Sequence, residues 1–430
     1  MTYLEQYDAA PEAEKYPLAR KWIDEEPLPF FKELRAKRPV LVTPQCTLIA
    51  RYDDVIEALN MPKIFTVKLY VRTMSDVYLM SHDDDALHYR EKSLMQSLLN
   101  RNDIPAVRAM VAKIAGGLLD AAKGSIEGIG GYTRMVPATL VRDYFGLTGI
   151  ELSHLMDWSY WNQVDSFYNQ PFDIRTQASR DNIAANHARV TAEMRSYMTG
   201  LMAKRLLPAK LSGAVQTVGG WLGAKPAAGV DDDIVERMLR CSFPNEMDFN
   251  LERVAINAGG LLIGTVETTS QAAAQTIQFL LGRPGLLAQA KTAAAASDPA
   301  AFDGIVWEAL RFVPISPYMF RQMGSDYTIG KGTDYETTIR TGTNVLTLTQ
   351  SAMFDERAYE NPDDFHPGRN WYNHFVFGYG SHECLGKYIG MVLIPEMVRQ
   401  MILRPDLHQM APIDYKGEHL PQEYKLAWTA

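Results

Sequence analysis

The segment Phe377-Gly378-Tyr379-Gly380-Ser381-His382-Glu383-Cys384-Leu385-Gly386 sets one cysteine among three glycines, directly before an apolar run suited to a helix. Nothing else in the 430 residues limits the fold as tightly. A lone cysteine is most often a buried, inert thiol. The neighbours of Cys384 change that expectation. Gly378 and Gly380 permit positive φ and a close backbone approach to a flat ligand. Gly386 opens the following helix without a side chain. A sulfur at a helix N-terminus is stabilised as thiolate by the dipole and by free N–H groups. The loop therefore reads as a mount that offers Cys384 to a metal.

The other two cysteines, Cys46 and Cys241, are far from Cys384 and from each other, and no Cys-x-x-Cys pair occurs. That pattern argues against a disulfide framework and a structural zinc site. The formal net charge of -8 argues against nucleic acid as a main partner. The polar N-terminus lacks the apolar core of a signal peptide, and no 18 apolar residues run together. The expected location is a reducing cytoplasm, with no membrane anchoring.

Along the chain, residues 30–60 read as helix, two short strands, then a helix over DDVIEALN opened by a capping aspartate. From about 84 to 205 the pattern is mostly helical. Val190, Met194, Tyr197, Met198, Leu201 and Met202 share one face. Residues 208–230, rich in Gly, Ala and Pro, read as a loop, and Asp231 to Asp233 as a helix start. A helix from about Val254 to Leu281 carries Gly259, Gly260 and Gly264, each costing roughly 1 kcal/mol against Ala. After Pro314 the chain turns strand-like, and 361–370 is turn-rich. The class is α+β, mostly helical with a minor β part.

The cysteine segment resembles the haem-binding loop of the cytochrome P-450 family, Phe-x-x-Gly-x-x-x-Cys-x-Gly, matched by Phe377, Gly380, Cys384 and Gly386. The resemblance covers nearly the whole chain. It implies one haem-binding domain of cytochrome P-450 fold over residues 1–430, of soluble bacterial type. It implies haem b (iron protoporphyrin IX) with Cys384 as axial thiolate and Phe377 packed near the sulfur. Such a thiolate pushes electron density onto iron. Glu308 and Arg311 match the family's Glu-x-x-Arg helix, and Arg369 in Phe365-His366-Pro367-Gly368-Arg369 its third member. By resemblance these three form a buried network that fixes the cysteine loop. The haem propionates need basic donors. By family position these are His382, Arg321, and the pair His88 and Lys92, with lysine where arginine is usual.

Gly264-Thr265-Val266-Glu267-Thr268-Thr269 resembles the family's acid–alcohol motif, with Thr265 in place of the second glycine. Glu267 and Thr268 are the implied proton relay. A mid-helix threonine can instead bond its own i−4 carbonyl. The implied pocket draws on Tyr70, Met74, Tyr78 and Met80 in the 65–80 loop, on Gly260, Leu261 and Gly264, and on the turn Ile315-Ser316-Pro317-Tyr318. Trp158, Tyr160, Trp161, Phe167 and Tyr168 could roof it, but ordinary core is the favoured reading. The substrate is expected to be an apolar or aromatic small organic molecule. The family activity is monooxygenation with O2 and electrons from a ferredoxin-type donor and its reductase, since no flavin or nicotinamide domain fits in this length. A peroxide-driven peroxygenase and a non-catalytic haem-thiolate ligand sensor are the alternatives, and the acid–alcohol pair disfavours both.

Overall fold

The computed structural model describes residues 1–74, 77–83, 85–221, 232–242, 249–370 and 374–430, with the backbone alone over 207–221. These pack as two compact units. The first takes in Met1–Tyr89, Gln170–Arg175 and Arg283–Lys387; the second takes in Arg90–Asn169, Thr176–Gly282 and Tyr388–Ala430.

The first unit holds most of the strand structure. The Pro27–Lys37 helix starts on Pro27, ends on basic Arg35 and Lys37, and buries Phe30, Phe31 and Leu34. Both ends suit the helix dipole and the missing proline N–H. Val40–Val42 then pairs antiparallel with Thr47–Ile49. Asn344–Thr347 joins in parallel, Met319–Met323 follows antiparallel, and Phe65–Thr66 closes the five-stranded sheet. The sheet sits on a core of Val55, Leu59, Phe65, Val345, Phe354 and their neighbours. The helix after the second strand runs Tyr52–Leu59, and Arg51 stands at its N-cap without a side-chain bond. Asp53 and Asp54 fall one position inside it and favour the dipole from the first turn, so the expected aspartate cap is corrected.

The second unit is almost wholly helical. Its Leu152–Tyr168 and Leu251–Leu281 helices pack against each other. Asn250 caps the latter, its side chain accepting the Arg253 N–H at 3.1 Å. The expected apolar face of the Gln177–Trp221 helix is in place, with Val190, Met198, Leu201 and Met202 buried. Gly259 packs on it, since a Cβ there would stand 3.4 Å from the Met194 methyl. The loop expected from 208 is corrected: the helix continues to Trp221. A helix already nucleated adds one bond per residue, so a glycine-bearing extension is cheaper than it looks in isolation. The rest of that expectation, 222–230, and Asp231 lie outside the described residues. Asp233 does cap a helix, Ile234–Cys241, through the Glu236 N–H at 2.9 Å. No described helix is long and apolar enough to cross a membrane.

Candidate functional site

In the first unit the cysteine segment is a tight backbone construction. Gly378 N–H donates to the Phe375 carbonyl at 2.9 Å, Glu383 N–H to Gly380 at 3.1 Å, and Cys384 N–H to Phe377 at 2.7 Å. Gly378 and Gly380 take φ of +77° and +69°, where side chains are strained. At Gly380 a Cβ would also lie 2.8 Å from the Leu59 carbonyl oxygen, so only glycine fits. Cys384 comes three residues before the Lys387–Ile402 helix and is partly exposed. Cys46, by contrast, is sealed in the core, and burial pushes its thiol up to about 12. Phe377 backs the loop with its ring 5.4 Å from that of Trp307.

Two histidines meet at this loop, and a buried arginine, Arg321, belongs to the same unit. His88 is fully buried, with Nδ1 2.8 Å from the Leu79 carbonyl and Nε2 2.9 Å from the Ser381 carbonyl. Its ring lies 4.7 Å from that of His382. Arg321 is 4% exposed, and among the described residues its guanidinium's one hydrogen bond goes to the Phe320 carbonyl at 2.8 Å. Burial pushes the Arg321 pKa down, while Tyr70 and Asp83 hold it up. A buried guanidinium with donors to spare suits a carboxylate partner. A glycine-built cradle, an accessible thiol and a buried cation together fit a flat, iron-bearing, dianionic group. Lys92, one turn beyond His88 on the Ala86–Leu98 helix, is buried in the second unit.

Glu308, Arg311 and Arg369 lie together. Glu308 Oε1 accepts from Arg311 Nη2 at 2.7 Å, from the His366 N–H at 2.9 Å and from Arg369 Nε at 3.2 Å. Arg311 also donates to the carbonyls of Met353, Pro362 and Asp364, and Arg369 to those of Glu360 and Asn361. Burial would raise the Glu308 carboxyl, but Arg311, the His366 N–H and Arg369 hold it below its usual value. The Ala300–Phe312 helix comes so close to this segment that a Cβ on Gly304 would sit 2.6 Å from the Pro367 carbonyl oxygen.

In the second unit, Glu267 is 2% exposed and ion-paired with Arg134 at 2.9 Å. Arg134 also donates to the Pro421 carbonyl at 3.0 Å and lies over the Tyr160 ring. Burial raises the Glu267 pKa and Arg134 opposes the rise. Thr268 Oγ1 donates to the Gly264 carbonyl at 2.7 Å, the i−4 bond weighed from the sequence. A Cβ on Gly264 would meet nothing within 4 Å, so packing does not require that glycine. Arg134 carried no sequence signal, because its partner is 133 residues away.

Of the residues assigned to a pocket, Tyr70 has its ring 4.6 Å from that of Phe320, tilted by 37°, in the first unit, where Pro317 and Tyr78 are half-buried. Burial pushes the Tyr70 hydroxyl up to about 12. Residues 75–76 of that loop lie outside the described residues. In the second unit Leu261 is buried and Gly264 exposed. Trp158 is core, and Tyr160, Trp161 and Tyr168 pack on Val164, Ile183 and Leu420.

The family model described as Cytochrome P450 matches residues 300–412. Cytochrome P450 107B1 of Saccharopolyspora erythraea is 25% identical over 85% of this chain and 84% of its own length. A steroid C26-monooxygenase of Mycolicibacterium smegmatis is 23% identical over 88% and 85%. Among solved structures, cytochrome P450 CYP109Q5 of Chondromyces apiculatus superposes with a TM-score of 0.75 at 20% identity, covering 95% of this chain and 96% of its own. Bacillus megaterium CYP109E1 in complex with testosterone gives 0.73 at 19%, over 94% and 98%. The match of the stretch that holds both the Glu308 network and the Cys384 loop, with relatives aligned along most of the chain, makes this protein a member of the cytochrome P450 family, a monooxygenase of bacterial type.

Proposed function

We propose that this monooxygenase inserts one atom of O2 into an apolar or aromatic small organic substrate, with electrons from a ferredoxin-type donor and its reductase. The observation that carries the proposal is the Cys384 loop, which presents a partly exposed thiol on a backbone that only glycines can build. Haem b, when bound there, supplies the chemistry of O2 activation.

The chain's own residues hold and shield that group. Cys384 would supply the thiolate that holds the iron, and Phe377 would pack beside it. Gly378 and Gly386 leave room for the macrocycle. By resemblance to the family, Arg321, Lys92 and His382 would supply donors for the propionates. His88 would brace the loop, because its two nitrogens already face the Leu79 and Ser381 carbonyls. Glu308, Arg311 and Arg369 fix the approach to the loop. For proton handling, the Thr268 hydroxyl leaves the Gly264 carbonyl by one rotation about χ1 and can then hold a proton or a water. Glu267 is the carboxyl that restores it, and burial keeps its affinity for a proton high. Arg134 only holds Glu267, since a guanidinium does not give up its proton.

By resemblance to the family, Tyr70, Tyr78 and Pro317 of the first unit and Leu261 and Gly264 of the second are the residues assigned to substrate. The relatives that act on or bind steroids support a bulky alicyclic substrate, so testosterone heads a panel for spin-state titration. The defining test is the carbon monoxide complex of reduced protein. Wild type, Cys46→Ala and Cys241→Ala should show the red-shifted Soret band of a thiolate complex, and Cys384→Ala should not. A red-shifted band in the Cys384 variant would remove the assignment.

A further inference from the structure

The Leu251–Leu281 helix carries two successive backbone carbonyls with more claimants than its own ladder supplies. The Gly264 carbonyl accepts from Thr268 Oγ1 at 2.7 Å. The Ile263 carbonyl, one residue earlier, accepts from Gln163 Nε2 at 2.8 Å and stands 3.4 Å from Ser159 Oγ. Both donors come from the Leu152–Tyr168 helix, one turn apart, and both are buried, at 4% and 0% exposure. Burying a primary amide among packed helices is costly unless its hydrogen bonds are made. An apolar residue would serve a packing role at less cost. Side-chain donors entering the i−4 ladder are a recognised cause of local helix bending. Here the insertion falls at Ile263 and Gly264, one turn before Glu267 and Thr268. Further along the same helix, Arg134 pairs with Glu267, and Thr133 Oγ1 lies 2.7 Å from Ser270 Oγ.

We propose that Gln163, seconded by Ser159, is a positioning residue for the oxygenation reaction. It fixes the Ile263 carbonyl and with it the 263–268 turn, so that the Thr268 hydroxyl stands where protons are needed. Thr265, bulkier than glycine, lies inside this turn, and the donors from the neighbouring helix hold its geometry. The role rests on the assignment of Thr268 to proton handling.

The test uses Gln163→Met, which keeps length and loses the donor, with Thr268→Ala and the double variant, all as holoenzyme. Hydrogen exchange needs no substrate. The amides of 264–268 in Gln163→Met should exchange about fivefold faster, the effect of one lost inter-helix bond. Coupling is read as hydrogen peroxide released per reduced nicotinamide consumed. The assay contains a surrogate ferredoxin and reductase and testosterone, or the panel steroid with the largest spin shift. Gln163→Met should raise that ratio roughly threefold or more, with an unchanged spin-state Kd. The double variant should match Thr268→Ala alone, because residues acting through one group are not additive. Parent-like exchange and coupling in Gln163→Met overturn the proposal. So do additive effects, or a weakened Kd with normal coupling, which would make Gln163 a substrate contact. If Thr268→Ala couples like the parent, the Thr268 assignment itself fails and the positioning role falls with it.

Discussion

At the residue scale, chemistry readable from a short stretch of sequence was legible, and chemistry shared between distant stretches was not. The Cys384 loop is ten consecutive residues whose spacing encodes its geometry, and Gly378 and Gly380 take the positive φ that their identity implied. His374 gave no comparable signal. It lies three residues before Phe377, 9% exposed, and neither ring nitrogen has a hydrogen-bond partner among the described residues. It lines a small cavity with Trp307, Val376, Phe377 and Lys387. Burial pushes its pKa down to about 4, against the opposing pull of Glu308. A histidine held neutral in the fold and free to charge when unfolded makes the unfolded state bind more protons between pH 6.5 and 4. Stability is therefore present above that window and lost as pH falls through it, by up to about 3 kcal/mol for one fully buried group. Denaturant unfolding at pH 7 and pH 4.5 should show the parent losing more stability on acidification than His374→Phe. Equal losses would show that His374 titrates normally.

At the element scale, the helices with an amphipathic stripe and the strands after Pro314 were readable, because each signal is local. Boundaries were less so. The Gln177–Trp221 helix runs past Pro208 because upstream turns had already met its nucleation cost, which composition alone cannot reveal. The helices Tyr3–Ala9 and Glu12–Glu25 were missed in a polar N-terminus, although Thr2 and Glu5 form a capping box. The Ala300–Phe312 helix shows what an element gains from its partners. Read alone, Glu308 and Arg311 are an ordinary i,i+3 pair worth a few tenths of a kcal/mol. Buried together, at 1% and 0% exposure, they tie the helix to the 353–369 segment. Removing one partner leaves an uncompensated buried charge, at roughly 3–5 kcal/mol against a total of about 5–15. Arg311→Ala should yield little haem-loaded protein, measured as Soret absorbance per chain. Arg311→Lys keeps the charge but cannot reach the Met353, Pro362 and Asp364 carbonyls together, so it should fall between. Normal haem content in Arg311→Ala would show the network to be dispensable.

At the scale of the whole molecule, the mostly helical α+β class was legible from the order of patterns along the chain. The division into two units, each drawn from three separate stretches, was not, since it depends on contacts far apart in sequence. The choice between an O2-driven and a peroxide-driven catalyst also belongs to this scale, because it concerns what the molecule must exchange with its surroundings. Glu267 bears on that choice. A buried ion pair such as Glu267 with Arg134 returns little net stability, because desolvation offsets most of the attraction. Replacement by apolar residues would be the cheaper way to fill the space. A catalyst fed with hydrogen peroxide receives its oxygen already reduced and protonated, so it draws no net protons from solvent and has less use for a carboxyl kept at such a cost. A catalyst fed with O2 must import both electrons and protons, and a buried acid of raised pKa then has a task. Turnover with a surrogate ferredoxin, its reductase and reduced nicotinamide should therefore exceed turnover with hydrogen peroxide by about tenfold or more, a difference of roughly 1.4 kcal/mol in the barrier. Glu267→Gln should lower the reductant-driven rate and leave the peroxide-driven rate close to the parent's, since only the former draws protons through the carboxyl. Equal loss by both routes would assign Glu267 to holding the helix, and a parent active only with peroxide would replace the monooxygenase mechanism with a peroxygenase one.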